Sequence, residues 1–101
     1  MIDVVLEDES GREIARVNES DSKACARTVW EAMDLGLPFT STIDQYGNTI
    51  FNNIQAPLVR KELALLIRLA KDEESKEHLR KIDALLERGQ ENHVYVRFIG
   101  D

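Results

Sequence analysis

A chain of 101 residues, 43% hydrophobic and 32% charged, has the make-up of one soluble globular domain and leaves little room for a second core. Its net charge of −6 argues against binding nucleic acid through phosphates, which needs lysines and arginines gathered on one face. Cys25 is the only cysteine, which excludes an intramolecular disulfide and a multi-cysteine zinc site.

The segment Met1–Glu7 lacks the basic head and long apolar run of a signal peptide, and no apolar stretch approaches the ~20 residues that cross a bilayer. No membrane association and a cytoplasmic location are therefore expected. The apolar run Val4-Val5-Leu6 ends at Glu7-Asp8-Glu9-Ser10-Gly11, and Arg12–Val17 alternates polar with apolar residues. This pattern predicts two strands joined by an acidic, glycine-containing turn, with Ile14 and Val17 anchoring the second strand to the core. Asn18–Ser22 is rich in helix-capping residues. Cys25, Val29 and Met33 then recur at four-residue intervals, with Ala26 and Trp30 beside them, so a helix ending at Gly36 and Pro38 is expected.

Phe39–Asn53 supplies β-branched and aromatic residues on either side of Tyr46-Gly47-Asn48, which predicts two more strands and a turn. If Ile43 and Phe51 face the core, period-2 geometry sends Asp44 and Asn52 to the opposite face, close across the ladder. Pro57 opens a helix whose stripe is Val59, Leu63, Leu66 and Ala70, widened by Leu65, Ile67 and Leu69. Asp72–Ser75 interrupts that pattern and caps a further helix carrying Leu79, Ile82, Leu85 and Leu86, which Gly89 ends. Those two helices form an antiparallel hairpin. Val94, Val96 and Phe98 alternate with Tyr95, Arg97 and Ile99 in a central strand beside the first. The expected fold is a single α+β domain over residues 1–101. Its antiparallel sheet has about five strands, in chain order ββαββααβ, packed against the helical hairpin and one shorter helix.

Catalytic chemistry finds little support. His78 and His93 lie on different elements without metal-ligand spacing, and a mixed site from His93, Asp44 and Glu62 would need the fold to assemble it. Cys25 sits on an apolar helical stripe, no Gly-x-Ser-x-Gly elbow is present, and the five glycines form no phosphate-binding loop. The expectation is a protein that is not an enzyme and carries no cofactor and no metal.

What remains is the polar segment 42–55. Asp44, Tyr46, Asn48, Asn52 and Gln55 present donors and acceptors there, and a tyrosine gives rigid contact area at low entropy cost. The competing reading is structural, with Asn53 or Gln55 capping the helix at Pro57. Charge is also polarised. Residues 1–22 net −5, whereas residues 58–71 net +3. Glu7, Asp8 and Glu9 in the first turn join Asp44, Tyr46, Asn48, Asn52 and Gln55 as expected partner contacts.

Ile43-Asp44-Gln45-Tyr46-Gly47-Asn48-Thr49-Ile50-Phe51-Asn52-Asn53-Ile54-Gln55 and Tyr95-Val96-Arg97-Phe98-Ile99-Gly100-Asp101 resemble a group of small, mostly uncharacterised bacterial proteins. That group shares an Ile-Asp-x-Tyr-Gly-x-Thr-x-Phe-Asn-x-x-Gln core before a helical hairpin, and an Arg-Phe-Ile/Val-Gly-Asp final strand. The resemblance brings no activity with it. In size and acidity the chain is also similar to immunity proteins of bacterial toxin systems. The leading expectation is a non-catalytic binding protein, most concretely an immunity-type inhibitor of a basic toxin or nuclease domain, with no direct contact to nucleic acid. The alternatives are a self-associating accessory subunit, a homodimer through the sheet edge or the 58–71 helix, and then a small enzyme using Asp44, Tyr46 and Asn52.

Overall fold

The computed structural model describes every residue from Met1 to Asp101. Strands β1 (Ile2–Asp8) and β2 (Glu13–Val17) pair antiparallel, as their patterns predict. The register skips one residue between Leu6 and Glu7, so Ile14 has no partner and is exposed rather than anchoring β2, a role taken by Ala15 and Val17. Helix α1 (Ala24–Leu35) ends at Gly36, whose φ of 69° is the left-handed conformation that suits glycine.

Helices α2 (Ala56–Leu69) and α3 (Glu73–Arg88) form the expected antiparallel pair. Arg60 near the start of α2 reaches Asp83 near the end of α3 through Nε at 2.9 Å and Nη2 at 3.2 Å. Asp72 caps α3 by accepting the Ser75 amide. Gly89 follows with ordinary helical dihedrals, and its role is space: a Cβ there would lie 2.6 Å from Val96 Cγ2. No helix is long and apolar enough to cross a membrane.

The sheet has four strands rather than five. Its order is β2-β1-β4-β3, all antiparallel, with β3 at Asn48–Phe51 and β4 at Val94–Gly100, and the chain order is ββαβααβ. The strand expected from Phe39 is a short 3₁₀ turn, Thr40–Thr42. Glu62 of α2 explains the difference. Its carboxylate accepts the Phe39 amide at 3.1 Å and the Thr40 amide at 2.7 Å, which leaves neither donor for a ladder.

Alternation decides which face is core. Ile2, Val4 and Leu6 of β1 join Val96 and Phe98 of β4 and Phe51 of β3 under the helices, and Phe51 meets Phe98 edge to face at 5.7 Å. The other face carries Asp3, Val5 and Glu7, then Arg16, then Tyr95, Arg97 and Ile99, then Asn48 and Ile50. On α1 the buried stripe is Cys25, Val29 and Ala32, whereas Met33 and Trp30 are exposed. Each four-residue step overshoots one 3.6-residue turn by about 40°, which carries Met33 about 80° round from Cys25, to the margin of the buried face.

Glu19 fixes α1 to the sheet. Its side chain is fully shielded (0% exposed), and it accepts amide hydrogens from Ile2 at 3.1 Å, Cys25 at 3.0 Å and Ala26 at 3.0 Å, with His78 Nε2 3.4 Å away. Burial alone would raise its pKa. The contact with His78 and the three amides outweigh that and hold the carboxyl down at about 2. A carboxyl depressed in the folded state stabilises the fold above the unfolded value near 4.5, and that contribution disappears as pH falls through the folded value. The stabilisation is about 3 kcal/mol at neutral pH. Glu19→Gln is expected to lower unfolding free energy by about 2–4 kcal/mol at pH 7 in urea titration, and by progressively less between pH 4.5 and pH 2. An equal loss at pH 7 and pH 3 would contradict this assignment.

Candidate functional site

The expected contact residues separate into three groups with different work to do. Glu7 was expected in an exposed turn. It lies instead inside β1, on the helix-free face between Glu13 and Tyr95, and is buried. Its Oε1 accepts from Arg97 Nε at 2.9 Å and Nη2 at 2.7 Å, so one strand-to-strand ion pair consumes its charge. Asp8 builds the turn itself, accepting the Ser10 hydroxyl at 2.6 Å and the Ser10 and Arg12 amides at 3.0 Å each. The Ser10 hydroxyl first, and then the Arg12 amide, hold its carboxyl below the usual range. Glu9 alone of the three is exposed, 2.9 Å from His93 Nδ1.

Asn52 and Gln55 form a reciprocal capping box ahead of α2. Asn52 Oδ1 accepts the Gln55 amide at 2.9 Å and the Ile54 amide at 3.0 Å, while Gln55 Oε1 accepts the Asn52 amide at 3.0 Å. The Gln55 side chain does not cap α2 as expected; it turns back to the Asn52 amide, and Asn52 takes the amides that precede the helix. Asn53 instead donates to Asn92.

Asp44, Tyr46 and Asn48 make the third group. With no strand before residue 48, Asp44 and Asn52 do not face each other across a ladder, and β3 pairs only with β4. Residues 44–47 form a turn pinned from several sides. Asp44 Oδ1 accepts the Tyr46 amide at 2.8 Å, Thr49 Oγ1 accepts the Asp44 amide at 2.9 Å, and the Gly47 carbonyl accepts the Gly100 amide at 2.7 Å. Gln45 Nε2 donates to the Ala26 carbonyl of α1 at 3.0 Å. The approach is so close that a Cβ on Gly100 would collide with the Asp44 and Gln45 backbone.

Out of this pinned turn stands Tyr46, 83% exposed. Asn48 and Ile50 (49% exposed) follow on the helix-free face, with Ile99 opposite Asn48. These residues form a polar-apolar patch at the free edge of the sheet. Ile50 and Ile99 were not expected in it, although period-2 alternation from Asn48 identifies Ile50. Arg97 is also new to the site and shows no signal beyond its place in an alternating strand.

His93, Asp44 and Glu62 are not gathered into one metal site. Glu62 is committed to backbone amides, and His93 sits beside Glu9. No group of three or more His, Cys, Asp or Glu side chains is spaced to hold a metal ion. Burial, with Glu19 nearby, pushes the Cys25 thiol up, which keeps it a neutral packing group.

No protein-family model matches this chain, and no curated protein or solved structure does either.

The capping box generates a stability prediction. Asn52→Ala and Gln55→Ala should each cost about 1 kcal/mol in urea titration, and the double variant less than the sum of the two. Full additivity would show that the two side chains do not act as a unit.

Proposed function

We propose that this chain is a non-catalytic protein-binding protein whose contact surface centres on Tyr46 at the β3 edge. The observation that carries the reading is an almost fully exposed aromatic side chain on a backbone held by hydrogen bonds at both ends. Such a residue gives large contact area while little backbone freedom is lost on docking, which is the economy of an interface anchor. Asn48 beside it supplies hydrogen bonding, and Ile50 supplies apolar area that rewards being covered.

The most concrete form is an immunity-type inhibitor of a basic toxin or nuclease domain, acting in the cytoplasm. The net charge of −6 supports it, since a negative field speeds encounter with a basic surface and disfavours acidic competitors. The weight within the proposed contact set shifts, however. Glu7, Asp8, Asn52 and Gln55 spend their polar atoms inside the fold, which leaves Asp44, in the turn beside Tyr46, and Glu9, which lines a groove with Ile50, as the exposed acids of the set.

The test is capture of partners by the tagged chain at low and then raised salt, followed by titration of the recovered partner against variants. A stoichiometric basic protein released by salt is expected. Tyr46→Ala should weaken its binding by at least about tenfold with no change in the urea midpoint. Gly100→Ala, which forces the turn off β4 while leaving Tyr46 in the chain, should also weaken binding. Full-strength binding by both variants would remove the site from this reading.

A further inference from the structure

A second unpartnered surface lies on the helical layer, away from the β3 edge. Trp30 is the only tryptophan in the chain, and it is 54% exposed on α1. It lines a groove of about 410 Å³ between α1 and the α2–α3 turn, whose far wall is Leu69 and Lys71. A second groove, of about 290 Å³, is lined by Leu37, Phe39, Leu58 and Leu65, with Lys61 at its margin. Leu58, Leu65 and Leu69 are spaced seven and four residues apart, so they fall on one stripe of α2 that joins the grooves into a single apolar seam. Exposed large apolar side chains in one continuous seam, the sole tryptophan among them, mark an interaction surface more strongly than the same residues scattered singly.

The charges along the seam say what covers it. Glu31 and Asp34 line the α1 wall, Lys71 stands on the opposite wall, and Lys61 flanks the second groove. None of these four takes part in an ion pair within the chain. The other charged residues of the first groove are already engaged, since Arg27 donates to Ser75 Oγ and Asp72 caps α3. One wall is therefore acidic and the other basic, with apolar residues between them. An acidic patch and a basic patch on one surface are self-complementary about a two-fold axis, where each meets the other patch of the second copy.

We infer that this seam is the interface of a homodimer, in which Trp30 packs against the α2 stripe of the second copy and Glu31 and Asp34 meet its Lys71 and Lys61. Two chains of net charge −6 repel at long range. At physiological ionic strength that repulsion is damped beyond about 8 Å, whereas pairs in contact persist. The interface is separate from the Tyr46 patch, so dimerisation and partner binding fail independently.

Sedimentation velocity of the full chain from about 1 to about 500 µM, with Trp30 emission read on the same samples, tests the inference. The expected result is a concentration-dependent dimer accompanied by a blue shift, because dimerisation removes Trp30 from water. Trp30→Ala should abolish the dimer, and Tyr46→Ala should leave it unchanged. Glu31→Lys with Asp34→Lys should weaken it by about tenfold or more, as should Lys61→Glu with Lys71→Glu. The chain carrying all four reversals should dimerise within about threefold of the original. A monomer throughout the range would overturn the inference. So would a dimer indifferent to Trp30→Ala, or one that the four reversals together fail to restore. A blue shift seen only when a different protein is added would assign the seam to a heterologous partner instead.

Discussion

The placement of α1, and with it much of the surface, depends on one buried carboxylate. Glu19 lies between β2 and α1, and its two oxygens collect the first amide of β1, two amides from the first turn of α1 and a contact from His78 on α3. Desolvating a carboxylate is costly, and it is tolerated only where donors replace the lost water. Here the donors are backbone amides at the start of a helix, groups that would otherwise be buried without partners. A single side chain thus ties together the start of α1, the first amide of β1 and α3. The left-handed Lys23 just before α1 is consistent with a helix start set by this tertiary contact, since no side chain caps the helix from that position.

The same device recurs and changes what the acidity of the chain means. Glu62 holds the Phe39 and Thr40 amides, Asp3 accepts the Glu19 amide at 2.7 Å, Asp72 caps α3 and Asp8 folds the first turn. Glu7 is matched by Arg97, and Asp83 by Arg60. Many carboxylates in this small protein are therefore structural parts. The net charge of −6 still sets the long-range field, but contact with a partner falls to the few acids left over.

Periodicity made most of the fold legible. The first hairpin, the two long helices, the capping role of Asp72 and the central position of the last strand all follow from spacing and turn chemistry. Two of the differences come from side chains distant in sequence. Residues 39–43 have strand-like composition, yet Glu62, more than twenty residues away, binds two of their amides and winds them into a 3₁₀ turn. Glu7 looked like part of an exposed acidic cluster because the apolar run ends at Leu6. The strand continues to Asp8, and Arg97, ninety residues on, makes the burial of Glu7 possible. Asn52 and Gln55 looked like partner contacts, but their three-residue spacing before Pro57 is a capping signature visible in the sequence itself. Trp30, expected beside the apolar positions of α1, lies outside the buried stripe and is exposed.

The surviving candidate, Tyr46, is informative because so little about it is fixed by packing. A buried tyrosine is explained by the core it fills, and a tyrosine on a mobile loop would lose much of its contact energy in ordering that loop. Tyr46 is neither. Asp44, Thr49, Gly47 and Gly100 all serve to hold the backbone around it, and Gly100 is committed to an approach that leaves no room for a side chain. The turn could close on β4 with any residue that keeps a backbone N–H at position 46, since Tyr46 contributes its amide and not its ring to the hydrogen bonding. Folding therefore accounts for the turn but not for the exposed aromatic ring at its tip. That division between a constrained frame and an unconstrained side chain is the physical reason to look for function there rather than among Asn52, Gln55, Glu7 and Asp8, whose polar atoms the fold already uses.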